Sequence, residues 1–176
     1  MPTADRPPLP HDFLRPVPSF SLSSTDVPDG GTLAEAQVYE AGNVSPQLSW
    51  AGFPAETKSF AVTCFDPDAP TGSGWWHWVL FDLPADTTEL PTGAGSGEFP
   101  GLPAGAVHGR NDYGSKDFGG AAPPPGHGPH RYVFTVHALP VEKLGLDSDT
   151  SCAAIGGTLG FLALGRASII AEYENH

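Results

Sequence analysis

The chain has 176 residues, enough for one domain that buries roughly 70% of the surface its unfolded form exposes, so neither disulfides nor metal are needed to hold a core. Its 20 prolines and 22 glycines, with little helical periodicity before residue 148, favour a mostly β fold. Eight Lys and Arg against 20 Asp and Glu give a formal net charge of −12, which repels nucleic acid and anionic membrane surfaces at long range.

Residues 1–18 are broken by Pro2, Pro7, Pro8, Pro10, Pro16 and Pro18 and offer little apolar surface to bury. They read as a flexible arm ahead of a single domain over 19–176. No apolar h-region and no run near the ~20 residues of a membrane span is present, so a cytoplasmic protein is expected. Cys64 and Cys152 fit reduced, buried thiols better than a disulfide or zinc framework.

Order is expected from Ser19, with short strands over 19–23, 37–39 and 47–50 separated by the Asp29-Gly30-Gly31 turn and the 42–46 loop. Two stronger strands follow. In 60–66, Phe60, Val62, Cys64 and Asp66 share a face before the DPDAP turn at 66–70; in 75–83, alternation groups His77 with Val79, Phe81 and Leu83. Paired as a hairpin, the two strands bring Asp66 and His77 to the same end of a sheet. A Gly/Pro loop from residue 119 then runs into a third strand from His130, with His130, Tyr132, Phe134 and Val136 on one face and Arg131, Val133, Thr135 and His137 on the other. The GRNDYG turn at 109–114 reads as a structural knot. A glycine-rich helix is expected over 152–166, N-capped from within 148–151, and a closing strand over 167–173.

Asp66, His77 and His130 thus gather at one rim. Histidines there can donate to a phosphate or carboxylate, Asp66 favours their cationic form, and the backbone N–H groups of 119–122 can complete an anion nest. A zwitterion suits the site as well, its ammonium accepted by Asp66 or Asp68. The same residues also suit an enzyme in which Asp66 and His77 or His130 move a proton. No serine elbow or strand-end cysteine supplies a nucleophile. A zinc site through His77, His127 and His130 is the weaker reading, since the loop around Pro129 holds ligands loosely; no cofactor or metal is expected.

Four motifs, DPDAP at 66–70, WHW at 76–78, GRNDYG at 109–114 and PPPGHGPHRY at 123–132, resemble the phosphatidylethanolamine-binding protein family, in its bacterial Raf-kinase-inhibitor-like branch. The resemblance runs from about Ser19 through NVSPQLSW at 43–50 to the end. It implies a β-sandwich of a large antiparallel sheet and a smaller sheet with a C-terminal helix. It also implies a small pocket for phosphate, phosphoethanolamine or a similar anion. Carried over by motif, the ligand-binding residues are Asp66, Asp68, Pro70, His77, Gly120, Ala121, Ala122, Pro123, Pro124, His130 and Tyr132. Ala122 stands where many relatives have glycine, and the late helix lacks the polar and aromatic residues common there.

The reading is a binding protein for a small anionic or zwitterionic ligand, with a regulatory or inhibitory contact to a protein target left open, as is a homodimer. No nucleic acid and no stable membrane association are expected. The alternative is an enzyme that uses Asp66 and a histidine for proton transfer on a small metabolite.

Overall fold

The structure is a computed structural model that describes residues 6–176. Two antiparallel sheets face each other across one core, as expected of the sandwich. The small sheet has the order β1-β2-β5, from β1 (Ser21–Ser23), β2 (Leu48–Ala51) and β5 (Glu89–Leu90). The large sheet has the order β6-β4-β3-β7-β8, from β3 (Ser59–Asp66), β4 (Trp75–Pro84), β6 (Val107–His108), β7 (His130–Leu139) and β8 (Gly165–Tyr173). Alternation decides what lies between them. Phe60, Val62 and Cys64 of β3 and Tyr132, Phe134 and Val136 of β7 turn inward onto Leu48, Trp50 and Leu90 of the small sheet.

The outer face of the large sheet is covered by α2 (Cys152–Leu162), whose Ile155 and Leu159 pack on Ala61, Val79, Phe81 and Leu139. Ser151 caps this helix, its hydroxyl accepting from the Ala154 amide at 3.1 Å. Its glycines have a packing reason. A Cβ on Gly156 would stand 2.8 Å from the Trp76 ring, so the helix can lie this close to β4 only without one. The helix ends at Leu162, short of the expected Arg166, because Leu164 donates to the Ala138 carbonyl and Gly165 pairs with Ala138, so the β7 ladder captures the chain.

Two further expectations differ. Residues 37–39 form no strand: Glu35–Gln37 is a 3-10 turn, and Val38 makes an isolated parallel bridge to Ala121. The alternation expected in β4 is also broken twice. Between Phe60 and Val62 the partner moves from Leu83 to Leu80, and between Cys64 and Phe65 it moves from Trp78 to Trp76. The second shift leaves His77 as an extra residue in a β-bulge, which re-aims it away from the face of Val79 and Phe81.

Of the segment expected as an arm, residues 1–5 lie outside the described residues. Residues 6–18 run over the sheet edge and outer face, with a single turn α1 (Pro10–Phe13). Arg6 pairs with Glu172 and donates to the Pro129 carbonyl at 2.7 Å, while Arg166 donates its amide to the Pro18 carbonyl at 3.0 Å.

Candidate functional site

The β3–β4 turn, the start of β7 and the loop before it enclose a cavity of about 310 Å³ at one end of the sandwich. Asp66 enters it because it ends β3, and Trp75 because it is the register partner of Asp66 across the hairpin. His77 enters through the bulge. His130 and Tyr132 enter from the inward face of β7, two residues apart.

Asp66 and His130 are both almost fully buried, and His130 Nδ1 lies 2.7 Å from Asp66 Oδ2. The other ring nitrogen of His130 is 2.7 Å from Nδ1 of His127, which makes a continuous carboxylate–imidazole–imidazole row. The second Asp66 oxygen accepts the Asp68 amide at 2.7 Å, so both carboxylate oxygens already have protein partners.

His77 Nδ1 lies 2.8 Å from the Gly119 carbonyl and 3.0 Å from that of Gly120. Carbonyls only accept, so Nδ1 carries the proton and Nε2 holds the lone pair in the neutral ring. Burial lowers the His77 pKa, outweighing the pull of Asp66 in the other direction. Asp66 does favour the cationic ring, as expected, but desolvation of the buried imidazole is the larger effect. Burial also raises the Tyr132 phenol, with the Asp66 charge adding to it.

The polar atoms that remain free are informative. His77 Nε2, Tyr132 Oη and Trp75 Nε1 are buried and lack a hydrogen-bond partner, and all three side chains line the cavity. The Ala122 backbone lies near enough to the Tyr132 hydroxyl to oppose its rise in pKa, yet no bond of full geometry forms. Buried native polar groups are rarely orphaned, and three among the side chains lining one cavity call for a ligand or ordered water.

Of the residues carried over by motif, Asp66, Pro70, His77, Ala122, Pro124, His130 and Tyr132 line the cavity. Asp68, Gly120, Ala121 and Pro123 do not. Asp68 turns the other way and accepts from the Arg131 backbone amide, Nε and Nη2 at 2.8, 2.9 and 2.7 Å. The anion nest is also not formed: the N–H groups of Gly119, Gly120 and Ala121 already bond His77 O, Asn43 Oδ1 and Gln37 O. Gly120 is required there, since a Cβ would stand 2.4 Å from the Gln37 carbonyl.

Four lining residues were not anticipated: Ala69, Thr71, Trp75 and Tyr113. Trp75 was signalled by the hairpin itself, as the first residue after the turn. Tyr113 comes from the GRNDYG turn, which is a knot as expected, with Asp112 holding the Trp76 amide at 2.7 Å, but also delivers an aromatic wall. The Tyr113 hydroxyl donates to Gly120 O at 2.8 Å and its ring stacks on Tyr39 at 4.1 Å. Among the described residues no group of three or more His, Cys, Asp or Glu is arranged to hold a metal ion. No helix among them is long and apolar enough to cross a membrane.

The chain belongs to the family described as phosphatidylethanolamine-binding protein, whose model matches residues 23–174. It is similar to the UPF0098 protein YbcL of Escherichia coli strain K12, 47% identical over 92% of this chain and 91% of that protein. It is also similar to the UPF0098 protein YbhB of the same organism, 50% identical over 88% of this chain and the whole of that protein. The crystal structure of E. coli YbcL, described as a new member of the mammalian PEBP family, superposes with a TM-score of 0.86, covering 90% of this chain and 99% of that one.

Proposed function

We propose that this protein binds a small oxyanion, a phosphoryl or carboxyl compound that also carries a donor, in the cavity between Asp66, His77 and Tyr132. The observation that carries this reading is the convergence of His77 Nε2, Tyr132 Oη and Trp75 Nε1 on one cavity without protein partners. Tyr132 and Trp75 donate to ligand oxygens, while neutral His77 accepts from a phosphate hydroxyl or an ammonium. At about 310 Å³ the cavity takes a headgroup-sized compound, and any acyl chains would lie outside it. Membership of the family supports small-ligand binding in general; the oxyanion and any regulatory contact with a protein are the finer reading.

The test is Tyr132→Phe. Its hydroxyl has no protein partner, so the variant folds, and loss of a hydrogen bond to a charged ligand weakens phosphate or phosphoethanolamine by about tenfold or more. Equal affinity for both probes in the variant and the parent would place their binding elsewhere. The row from Asp66 through His130 to His127 favours one second reading, proton transfer on a small metabolite. Incubation with a metabolite extract separates the two: the binding protein retains a compound unchanged, and the enzyme consumes it.

A further inference from the structure

We propose a second oxyanion site, on the opposite face of the large sheet beneath residues 10–18, built on Arg166 and His137. It goes beyond the reading above and shares no residue with that cavity. The register makes it: His137 of β7 sits directly across from Arg166 of β8, and the next outward pair along, Thr135 and Ser168, is bonded through the two hydroxyls at 2.8 Å. These outward-facing residues would ordinarily meet water or the apolar underside of α2. Here the segment from Pro10 to Pro18 crosses over them instead.

Arg166 is 9% exposed and is held in place by one side-chain bond, Nη1 to the Arg15 carbonyl at 3.2 Å; its Nε and Nη2 are buried without a partner. His137 is 7% exposed, with Nε2 3.0 Å from Thr63 Oγ1 and Nδ1 unpartnered. A buried guanidinium without a counter-charge is costly, and no carboxylate among the described residues faces this one. Asp12 lies 3.7 Å from His11 Nε2 and lines neither chamber described below. The neighbouring charge is instead Arg15, whose Nη2 donates to the Phe161 and Ala163 carbonyls at the end of α2. Two of the eight Lys and Arg side chains of an acidic protein therefore stand together without a carboxylate between them.

The space fits an anion. An inner chamber of about 40 Å³ has His137, Thr63, Thr135 and Arg166 on its polar side and Leu14, Phe65, Trp76, Val133 and Leu159 on its apolar side, and an outer bowl of about 400 Å³ opens beside it; the two share His11, Arg166 and Ser168. One or two oxygens of a carboxylate or phosphate enter the inner chamber against the guanidinium, whose planar fork matches them, and the rest of the molecule lies in the bowl. When Thr63 donates to Nε2, the neutral His137 ring presents Nδ1–H to the same oxygens.

The experiment is equilibrium binding of inorganic phosphate at constant ionic strength to the full chain, to Arg166→Gln, to Tyr132→Phe and to the double variant. Two classes of site are expected in the parent, with Arg166→Gln weakening one of them by about tenfold or more and leaving the other. Loss of all measurable binding in Tyr132→Phe alone, or no change in Arg166→Gln, overturns this inference while leaving the cavity at Asp66 standing. Binding that Arg166→Gln weakens and Tyr132→Phe does not touch upholds it even if the first reading fails. Because Arg166→Gln can disturb the segment above it, crystals of the unaltered protein grown with selenate give an independent answer. An anomalous peak against the Arg166 guanidinium supports the site, and ordered water alone at that position refutes it.

Discussion

Asp68→Ala decides whether the second carboxylate of the DPDAP turn serves a ligand or the fold. Asp68 is 4% exposed and accepts three bonds from Arg131, whose Nη2 also donates to the Pro7 carbonyl at 2.6 Å. Removing one partner of a buried pair typically costs about 3–5 kcal/mol. Arg131 keeps Pro7 and some contact with water, so the lower end, about 3 kcal/mol, applies here. At about 2–4 °C per kcal/mol for a chain of this size, calorimetry should show the melting temperature falling by about 6–12 °C at pH 7. The difference also has a pH signature. Burial alone would raise the Asp68 pKa, but the Arg131 bonds hold it below the ordinary carboxylate value. Its contribution is thus fully present above about pH 4 and is lost as pH falls through the lower folded value, so parent and variant converge in strong acid. A fall of under 2 °C, or a folded variant that has lost phosphate binding, would return Asp68 to the ligand and refute the structural role.

Binding of sulfate, which does not itself titrate in this range, should weaken as pH rises. Burial depresses His77 in the free site, a bound anion raises it, and the proton taken up is lost above the pKa of the complex; calorimetry showing a flat affinity from pH 5 to 8 would contradict this. Without ligand, the protein should lose stability steadily as pH falls below about 6.5, because His77, His108 and His137 are all buried with depressed values, the last two at about 4 and about 3. Gly156→Leu should destabilise by about 1–3 kcal/mol in urea by forcing α2 off Trp76, whereas Gly157→Ala, with nothing within 4 Å, should be neutral or gain up to about 1 kcal/mol. Vesicles of neutral or anionic lipid should leave the protein in the supernatant on sedimentation, and co-sedimentation at physiological salt would argue against a headgroup-sized site.

The strands that frame the cavity were legible because 60–66 and 130–139 are short, rich in β-branched and aromatic residues, and stopped by Pro67 or flanked by Pro129 and Pro140. The convergence of Asp66, His130 and Tyr132 follows once 60–66 and 75–83 pair as a hairpin and the strand from His130 opens at the same end. His77 illustrates the opposite case. Alternation grouped it with Val79 and Phe81, and a bulge cannot be read from a run such as WWHWVLFD in which nearly every side chain is apolar or aromatic. The roles of Asp68 and the 119–121 amides were hidden for another reason. Their partners, Arg131, Asn43 and Gln37, are distant in sequence, so only the folded chain reveals that these groups are already bonded.

The bulge at His77 has a further consequence for how this site is joined to its sheet. With His77 left out, β4 would read Trp75, Trp76, Trp78, Val79 and Leu80, and each would still face Asp66, Phe65, Cys64, Thr63 and Val62 in turn. The histidine is supernumerary to the ladder. Deleting a residue from a regularly paired stretch, such as Thr63 of the adjacent strand, would instead slip the strand and exchange its two faces unless a bulge absorbed it. The residue that presents a free acceptor to the cavity is therefore one the sheet can gain or lose in a single step, so chemistry at this position can change without renegotiating the scaffold.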